Sequence, residues 1–201
     1  MATVRVPRHT EAEYLVMAEA SEERLEFVNG EVFAMAGASP IHEALVMNVG
    51  SVLSGKLRGR PCRPFGSNLR VKISETGMYC YPDVTVVCGK LELEPTRPAT
   101  LLNPAVIFEV LSESTEGYDR GAKAAHYRRH PGLKAYVLVS TDAKRIEVYS
   151  RSEAGWTLTE ARETGELRIE ALDLALPLDE VYAGFDELTA EAAEAVAPPA
   201  P

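Results

Sequence analysis

The sequence predicts an α/β or α+β domain built around a mixed central sheet that is flanked by helices. The chain has 201 residues and 46% hydrophobic content, which is enough to bury one core. Short β-branched apolar runs bounded by proline and glycine are typical of interior strands, and helical patterns stand between them without strict alternation. We assign residues 1–9 to a lead-in, 10–186 to the domain, and 187–201 to an Ala/Pro/Glu-rich tail that we expect to be disordered.

The chain begins with signals for a helix and a hairpin. Thr10 and Glu13 have the spacing of a capping box, which predicts a helix over 11–20. Asn29-Gly30 lies between two apolar runs and predicts a tight hairpin, because both residue types tolerate positive φ. The two strands of this hairpin cover residues 24–28 and 31–36.

A second helix opens at Ser39-Pro40 and runs to about Leu57, since proline is tolerated at the first helical position. Its apolar stripe at helical spacing consists of Ile41, Leu45, Val49, Val52 and Leu53. The remaining predicted elements are a loop over 55–66, strands over 67–73, 81–87 and 104–111 with a linker over 89–103, a helix over 119–130, strands over 134–140 and 145–150, smaller strands over 155–161 and 166–169 that extend the sheet edge, and a weak helix beyond 178.

Charge and cysteine content narrow the function classes. The net charge of −9 excludes the global basic footprint of a dedicated nucleic-acid binder, so contacts with phosphates would be local or depend on a bound metal. Cys62, Cys80 and Cys88 have no Cys-x-x-Cys spacing, and we expect buried thiols in a reducing cytoplasm rather than disulfide or zinc roles. No apolar run reaches the length of a membrane span.

Two acidic residues lie in apolar strands, where a lone carboxylate is unfavourable. Asp83 opens the run Tyr-Pro-Asp-Val-Thr-Val-Val, and Glu109 lies near the end of Val-Ile-Phe-Glu-Val. If the two strands are neighbours, both carboxylates converge on one point, and a divalent ion such as Mg²⁺ or Mn²⁺ would make the pair favourable. The structural alternative for Glu109 is a buried ion pair with Lys123 or Arg128.

These residues resemble the Uma-type family of bacterial restriction endonucleases, within the PD-(D/E)XK nuclease superfamily. The resemblance is carried by Tyr-Pro-Asp at 81–83, Glu-Val-Leu-Ser at 109–112, the series Asp119, Lys123 and Tyr127, and, upstream, residues 25–31 and 39–42. It covers about residues 10–185 and implies a restriction-endonuclease-like fold. It also implies hydrolysis of phosphodiester bonds in DNA, with Asp83 and Glu109 as metal ligands and a Mg²⁺-activated water as the attacking group.

Leucine occupies position 111, where a nuclease of the Asp…Glu-x-Lys kind has its lysine. The resemblance assigns that role to Lys123, on the helix that follows the strand, because a long flexible stem reaches into a site from a neighbouring element. Glu31 is the favoured further acid beside the metal, with Glu26 as the alternative. We expect a homodimer, since cutting two strands favours paired sites.

The sequence offers further candidate site residues and two alternative functions. His42 is a candidate at a helix start, and a local phosphate path is a further hypothesis for the basic residues Arg58, Arg60, Arg63, Arg70 and Lys72. Two other functions compete with a DNA endonuclease. One is a catalytically inactive nuclease-fold binding or scaffold module whose acids form internal ion pairs, and the other is a hydrolase of small phosphodiesters.

Overall fold

The computed structural model describes residues 8–35 and 37–196 and places two six-stranded sheets next to each other. The helices are α1 (Glu11–Ala20), α2 (Pro40–Lys56), α3 (Glu116–Tyr118), α4 (Ala124–Tyr127), α5 (Leu178–Val181) and α6 (Phe185–Val196), with a π-helical turn at Asp119–Lys123 and a 3-10 turn at Glu170–Leu172. The strands are β1 (Leu25–Val28), β2 (Glu31–Ala34), β3 (Cys62–Gly66), β4 (Arg70–Ile73), β5 (Met78–Cys80), β6 (Val84–Cys88), β7 (Leu93–Glu94), β8 (Thr100–Leu101), β9 (Val106–Val110), β10 (Ala135–Val139), β11 (Arg145–Ser152), β12 (Gly155–Arg162), β13 (Glu166–Ile169) and β14 (Leu174–Pro177).

The local signals at the start of the chain are confirmed. The Thr10 hydroxyl accepts a hydrogen bond from the Glu13 amide, and the Glu13 carboxylate accepts one from the Thr10 amide, which completes the capping box. Asn29 and Gly30 both have positive φ in the turn between β1 and β2. In α2, Ser39 caps the first turn and the apolar stripe packs inward.

The strand order of the first sheet is β2-β1-β5-β4-β8-β7, and that of the second is β12-β11-β10-β9-β6-β3. In the second sheet β9 runs parallel to β10 and antiparallel to β6. The parallel pair is connected by the helical segment 116–127, which we call the site helix. Side chains on one face of β9 pack under α2, and those on the other face pack under the site helix.

Several predicted boundaries are wrong because the pairing partners are distant in sequence. The predicted strand over 81–87 starts too early: β6 begins at Val84 in the second sheet, and residues 81–83 connect it to β5 in the first sheet. Pro82 lies in the connection, where a residue without an N–H donates no sheet hydrogen bond. The predicted loop over 55–66 contains β3, and the predicted linker over 89–103 contains the short strands β7 and β8. Strand β4 begins at Arg70 rather than at 67.

The C-terminal region also differs from the prediction. Strand β12 extends the second sheet as expected, but β13 pairs with β14 in a separate hairpin. Residues 187–196, which the sequence analysis assigns to the tail, belong to α6, whose first residue Phe185 is buried. Residues 1–7, 36 and 197–201 lie outside the described part of the chain, and with them most of the predicted lead-in, the last residue of the predicted strand over 31–36 and the end of the predicted tail. No helix among the described residues is long and apolar enough to cross a membrane.

The expectation of three free thiols is wrong. Cys62 and Cys88 are direct cross-strand neighbours in the β3–β6 pair and form a disulfide, while Cys80 is a buried thiol. The two half-cystines are 26 residues apart in sequence. Their pairing depends on the antiparallel register of β3 and β6 and is not visible in the spacing of the cysteines.

Candidate functional site

Asp83 and Glu109 lie on the same face of the second sheet, under the site helix. In β6 and β9 the paired residues are Val84 with Phe108 and Thr85 with Ile107. Continuing this register by one residue puts Asp83 opposite Glu109, and the Asp83 amide is 3.4 Å from a Glu109 carboxylate oxygen. Both residues are buried. The two acids in the apolar runs are therefore cross-strand neighbours.

The Asp83 carboxylate is fixed by two neighbours. Its Oδ2 accepts a 2.8 Å hydrogen bond from the Val110 amide, and the same oxygen is 3.3 Å from Nε2 of His42. Ser39 caps the first turn of α2 and thereby directs His42 towards the sheet. The burial of His42 lowers its pKa, but hydrogen bonding to Asp83 and the negative charge of that carboxylate outweigh the burial, so the net shift is upward.

The Glu109 carboxylate contacts the site helix through its other oxygen. Oε1 of Glu109 is 2.8 Å from Nζ of Lys123 and accepts a 2.7 Å hydrogen bond from the Tyr127 hydroxyl. The tyrosine ring packs against Tyr136 on β10, which holds the hydroxyl in place. The structural alternative for Glu109, a buried ion pair with Lys123, is therefore present, and the same contact places Lys123 beside the two acids of the resemblance.

Lys123 is surrounded by three carboxylates. Its Nζ is 2.8 Å from Glu109, 3.5 Å from Asp119 and 4.0 Å from Glu26. Asp119 and Lys123 are both buried and lie on the π-helical turn, a kind of distortion that often occurs at functional sites. The predicted helix over 119–130 has different bounds: the helical segment begins at Glu116, so Asp119 is not its cap but a member of the site.

Glu26 lies at the site, and Glu31 does not contact it. Glu26 is on β1, next to β5, where its Oε1 accepts a 2.8 Å hydrogen bond from the Tyr81 amide. Glu31 opens β2 at the sheet edge, opposite Val28. Among the described residues, 8–35 and 37–196, no hydrogen bond or ion pair connects the Glu31 side chain to Lys123, to the three acids around Lys123, or to Asp83. The structure therefore favours Glu26, the alternative, because β1 is an interior strand.

The crowding of acids alters their protonation. Burial raises the pKa of Glu109; the Lys123 ammonium opposes this rise, and the charges of Asp83 and Asp119 add to it. Burial also raises the pKa of Asp119 and that of the Tyr127 hydroxyl. The pKa of Lys123 is shifted upward: burial lowers it, but the charges of Glu109, Glu26 and Asp119 together prevail.

The raised pKa of Glu109 predicts that the metal-free protein loses stability as pH rises. A group whose folded pKa lies above its unfolded pKa stabilises the fold below the unfolded value, and this stabilisation disappears as pH increases through the folded value. Each pH unit between the two values corresponds to about 1.4 kcal/mol. Urea unfolding in EDTA between pH 5 and pH 9 should show a shallower decline for Glu109→Gln than for the wild type. Because His42 remains in both chains, its titration cancels; equal slopes would contradict the prediction.

The residues at the site fit a divalent cation of the kind implied by the resemblance. The Lys123 ammonium is in direct contact with three carboxylates, those of Glu26, Glu109 and Asp119, and the carboxylate of Asp83 is in contact with His42. No group of three or more His, Cys, Asp or Glu side chains with metal-holding geometry occurs in the described ranges 8–35 and 37–196. Mg²⁺ is commonly held by one or two carboxylates, with water and substrate oxygens at its other positions, and Asp83 and Glu109 are the two carboxylates that would hold it.

The hypothesis of a phosphate path is wrong for two of its five residues. Arg70 is fully buried between the rings of Tyr14 and Tyr79, where its guanidinium donates to Thr100 and Thr96. Lys72 is held 2.7 Å from each of two carboxylates, those of Glu11 and Glu94. Neither cation is available to DNA. The other three are exposed, and their role stays a prediction.

Two contributors to the site were not assigned from the sequence. His42 carries no local signal beyond its position at a helix start, and its contact with Asp83 follows from the packing of α2 on the second sheet. Asp119 has the sequence signature of a helix cap, and the π-helical turn changes its role. The sequence did contain one signal that the site helix has a face towards the site. Lys123 and Tyr127 are four residues apart and therefore lie on the same side of a helix.

The chain is similar to one protein family, to two proteins of known sequence and to one solved structure. The sequence model of the Uma2 family, described as "Putative restriction endonuclease", matches residues 11–179. Two uncharacterized proteins of Synechocystis sp. are similar: slr1290 is 32% identical over 180 residues, covering 89% of this chain and 94% of the relative, and sll1609 is 36% identical over 152 residues, covering 75% and 86%. A crystal structure described as "a putative nuclease belonging to DUF820", from Anabaena variabilis, superposes with a TM-score of 0.71 at 18% identity and covers 88% of this chain and 98% of that one. This likeness confirms the restriction-endonuclease-like fold.

Proposed function

The chain belongs to the Uma2 family, described as "Putative restriction endonuclease", and on that premise we propose that it is a Mg²⁺- or Mn²⁺-dependent endonuclease that hydrolyses phosphodiester bonds in DNA. The observation that carries the proposal is the meeting of Asp83 and Glu109 on one sheet face, with Lys123 in contact with Glu109. A buried group of acids with one lysine is otherwise unfavourable, and it fits a site that takes up a cation.

Each residue of the site has a role in this proposal. Asp83 and Glu109 would hold the metal ion, which when bound would lower the pKa of a coordinated water and neutralise charge on the phosphate. The Val110 amide and His42 orient Asp83, and the Tyr127 hydroxyl orients Glu109. Lys123 supplies a fixed positive charge, which stabilises the negative charge that develops during attack on phosphorus.

DNA is the proposed substrate, although the net charge of −9 predicts weak unaided binding. Targeting would then come from another domain or a partner, and the bound metal would supply part of the attraction for phosphates. Two further proposals follow from a DNA substrate. The enzyme acts in the cytoplasm, a proposal that rests on its DNA substrate alone because the Cys62–Cys88 disulfide removes the argument from free thiols. It acts as a homodimer, so that each of its two sites cuts one strand of a duplex.

The proposal is tested with supercoiled plasmid DNA and a titration of Mg²⁺ or Mn²⁺. We expect nicked or linear products that require the metal and disappear in EDTA, together with saturable metal binding in calorimetry. The same preparations are assayed with bis(p-nitrophenyl) phosphate, a small diester. Turnover of the small diester without cleavage of DNA would replace the proposal with the small-phosphodiester hydrolase. Metal binding without either activity would also contradict it.

A catalytically inactive scaffold is the second candidate, and one observation favours it. The oxygens of both key acids already have protein partners: Asp83 contacts the Val110 amide and His42, and Glu109 contacts Lys123 and Tyr127. Such internal pairing would make the acids structural. This reading predicts that neither Mg²⁺ nor Mn²⁺ binds at millimolar concentration, so the calorimetric titration distinguishes it from an enzyme.

A matched pair of substitutions tests the choice between the two hairpin acids. Glu26→Gln is expected to lower the cleavage rate by roughly 10- to 100-fold, the usual range for groups that orient a metal site from outside it. Glu31→Gln is expected to leave the rate within about twofold, because Glu31 lies at the sheet edge without a contact to Lys123 or Asp83. The rates are measured at saturating Mg²⁺ on plasmid DNA. Equal rates for the two variants would contradict the assignment of Glu26.

A further inference from the structure

We propose that a groove between α2 and β3 binds an unpaired strand of DNA and directs it towards Asp83. The inference rests on the proposed function and names the form of DNA that the site takes. Its observation is a pair of adjoining cavities of about 450 and 300 Å³, which share Ser54, Pro64 and Phe65 in their walls. Together they form one groove along α2, and we call it the α2 groove.

The charge of the α2 groove is opposite to that of the chain as a whole. The chain has 30 acidic and 21 basic residues, which gives the net charge of −9. Among the described residues that line the two cavities there is no acid, whereas Arg58, Arg60 and Arg63 all line the larger one. A local excess of cations in an acidic protein attracts a polyanion to that place alone. The groove therefore complements the phosphates of a nucleic acid.

The three arginines differ in how free their guanidinium groups are. Arg60 donates hydrogen bonds of 2.6 and 3.3 Å to the backbone carbonyl oxygens of residues 172–173, so it fixes the loop. Within the described part of the chain, the Arg58 side chain has no hydrogen bond or ion pair, and that of Arg63 has one long hydrogen bond of 3.5 Å, to the Gly89 carbonyl. Both side chains are exposed. Arg58 and Arg63 are therefore the phosphate contacts.

The other end of the α2 groove lies beside the acids of the site. Val84 lines the smaller cavity and directly follows Asp83 in the chain. Val46 lines the same cavity and is one turn along α2 from His42, whose Nε2 is 3.3 Å from Asp83. From Val46 to Leu57 the helix rises about 16 Å, which corresponds to roughly four to five nucleotides at about 3.4 Å per step of one strand. A strand in the groove therefore reaches Asp83.

The walls of the α2 groove favour an unpaired strand over a duplex. Met47 is 70% exposed on α2, and Pro64 and Phe65 on β3 are only partly buried. Apolar and aromatic side chains bind the faces of bases, and these faces are accessible only where the strand is not stacked in a duplex. A basic path for the backbone together with an aromatic ring for the bases is the combination that single-strand binding uses.

The test measures binding of a fluorescein-labelled thymidine strand of about twelve nucleotides by anisotropy, at increasing NaCl and in EDTA, where no divalent metal supports cleavage. For Arg58→Ala with Arg63→Ala we expect binding about 10-fold weaker, because two exposed ion pairs with phosphates are lost. The slope of log affinity against log salt should become shallower by about 1.4, since each phosphate contact on a single strand contributes about 0.7.

The matched control is Arg162→Ala with Arg168→Ala, which changes the net charge by the same amount. Both arginines are exposed and paired with surface acids outside the groove, and Arg162 lies on β12, at the edge of the second sheet opposite to β3. The affinity and the salt slope of this control are expected to equal those of the wild type within about twofold.

A second pair of substitutions acts on the other wall of the groove. Met47→Lys is expected to strengthen binding of the strand and Met47→Glu to weaken it, by about threefold each, because an added charge there lies beside the phosphates. Met47 is exposed, so neither side chain disturbs the core. The thymidine strand paired with its complement is expected to bind at least about 10-fold more weakly than the single strand.

The outcomes separate this inference from the proposed function. An unchanged affinity and salt slope in the double arginine variant, the opposite order of the Met47 variants, or no saturable binding by the wild type at low salt would overturn the inference. Duplex binding as tight as that of the single strand would overturn the assignment of an unpaired strand. Metal-dependent plasmid cleavage alongside any of these results would leave the nuclease standing. Strand binding that needs Arg58 and Arg63, without metal binding or cleavage, would overturn the proposed function and leave a DNA-binding groove.

Discussion

Asp83→Asn is expected to abolish metal-dependent cleavage and to weaken Mg²⁺ binding by more than about 100-fold. Substitutions of groups that only support a metal ligand cost about 10- to 100-fold in affinity, so the loss of a ligand charge should exceed the upper end of that range. The amide keeps the shape of the side chain, and its oxygen still accepts the hydrogen bond from the Val110 amide if it takes the position of Oδ2. The loss therefore reports on charge rather than on folding.

The measurement is calorimetric titration of Mg²⁺ and Mn²⁺, paired with plasmid cleavage at saturating metal. Asp142→Asn is the matched control, because Asp142 is an exposed acid in the turn before β11 whose side-chain contacts are with Ser140 and Arg145. The control should bind metal and cleave like the wild type. Unchanged metal affinity in Asp83→Asn would contradict the assignment of Asp83 as a ligand. Unchanged cleavage would contradict the proposed nuclease mechanism as a whole.

Lys123→Met is expected to destabilise the metal-free protein by about 3–5 kcal/mol, the usual cost of removing one partner from a buried ion pair. The reason is the carboxylates left behind: Glu109, Asp119 and Glu26 lose the ammonium that balances them. The destabilisation should be larger at pH 8 than at pH 5, since protonation of Glu109, whose pKa burial raises, relieves the imbalance at the lower pH.

Urea unfolding in EDTA measures this effect. Lys144→Met is the control: its ammonium is 2.6 Å from Asp186, but that carboxylate is mostly exposed, and surface pairs contribute about 0–1 kcal/mol. The double variant Lys123→Met with Glu109→Gln should recover part of the lost stability, because it removes a charge together with its partner. If Lys123→Met loses no more stability than Lys144→Met, the Lys123 ammonium does not hold the neighbouring carboxylates in their charged form.

Much of the fold follows from short-range patterns. The capping box of α1, the Asn29-Gly30 hairpin, the apolar stripe of α2 and the apolar run of β9 are each specified within a few residues, and each is present in the structure. The pairing of Asp83 with Glu109 was predictable for a related reason. An acid within an apolar strand requires a partner, and two such acids in central strands have each other as the nearest solution.

The remaining features depend on contacts between distant segments. Glu26 rather than Glu31 joins the site because β1 pairs with β5 and thereby reaches Tyr81. Arg70 looks like a surface cation in the sequence, yet it is buried between two tyrosine rings. Likewise, Cys62 and Cys88 become neighbours through the register of β3 and β6.

The sequence by itself therefore determined the type of fold, most of the strands and helices around the site, and two acids and a lysine that come together there, because backbone propensity and the cost of burying charge act locally. Only the tertiary structure decided which further groups surround them: His42 against Asp83, Asp119 and Glu26 against Lys123, and Tyr127 against Glu109. These contacts join elements far apart in sequence, and their distances depend on how two sheets and the site helix pack, which no local pattern specifies.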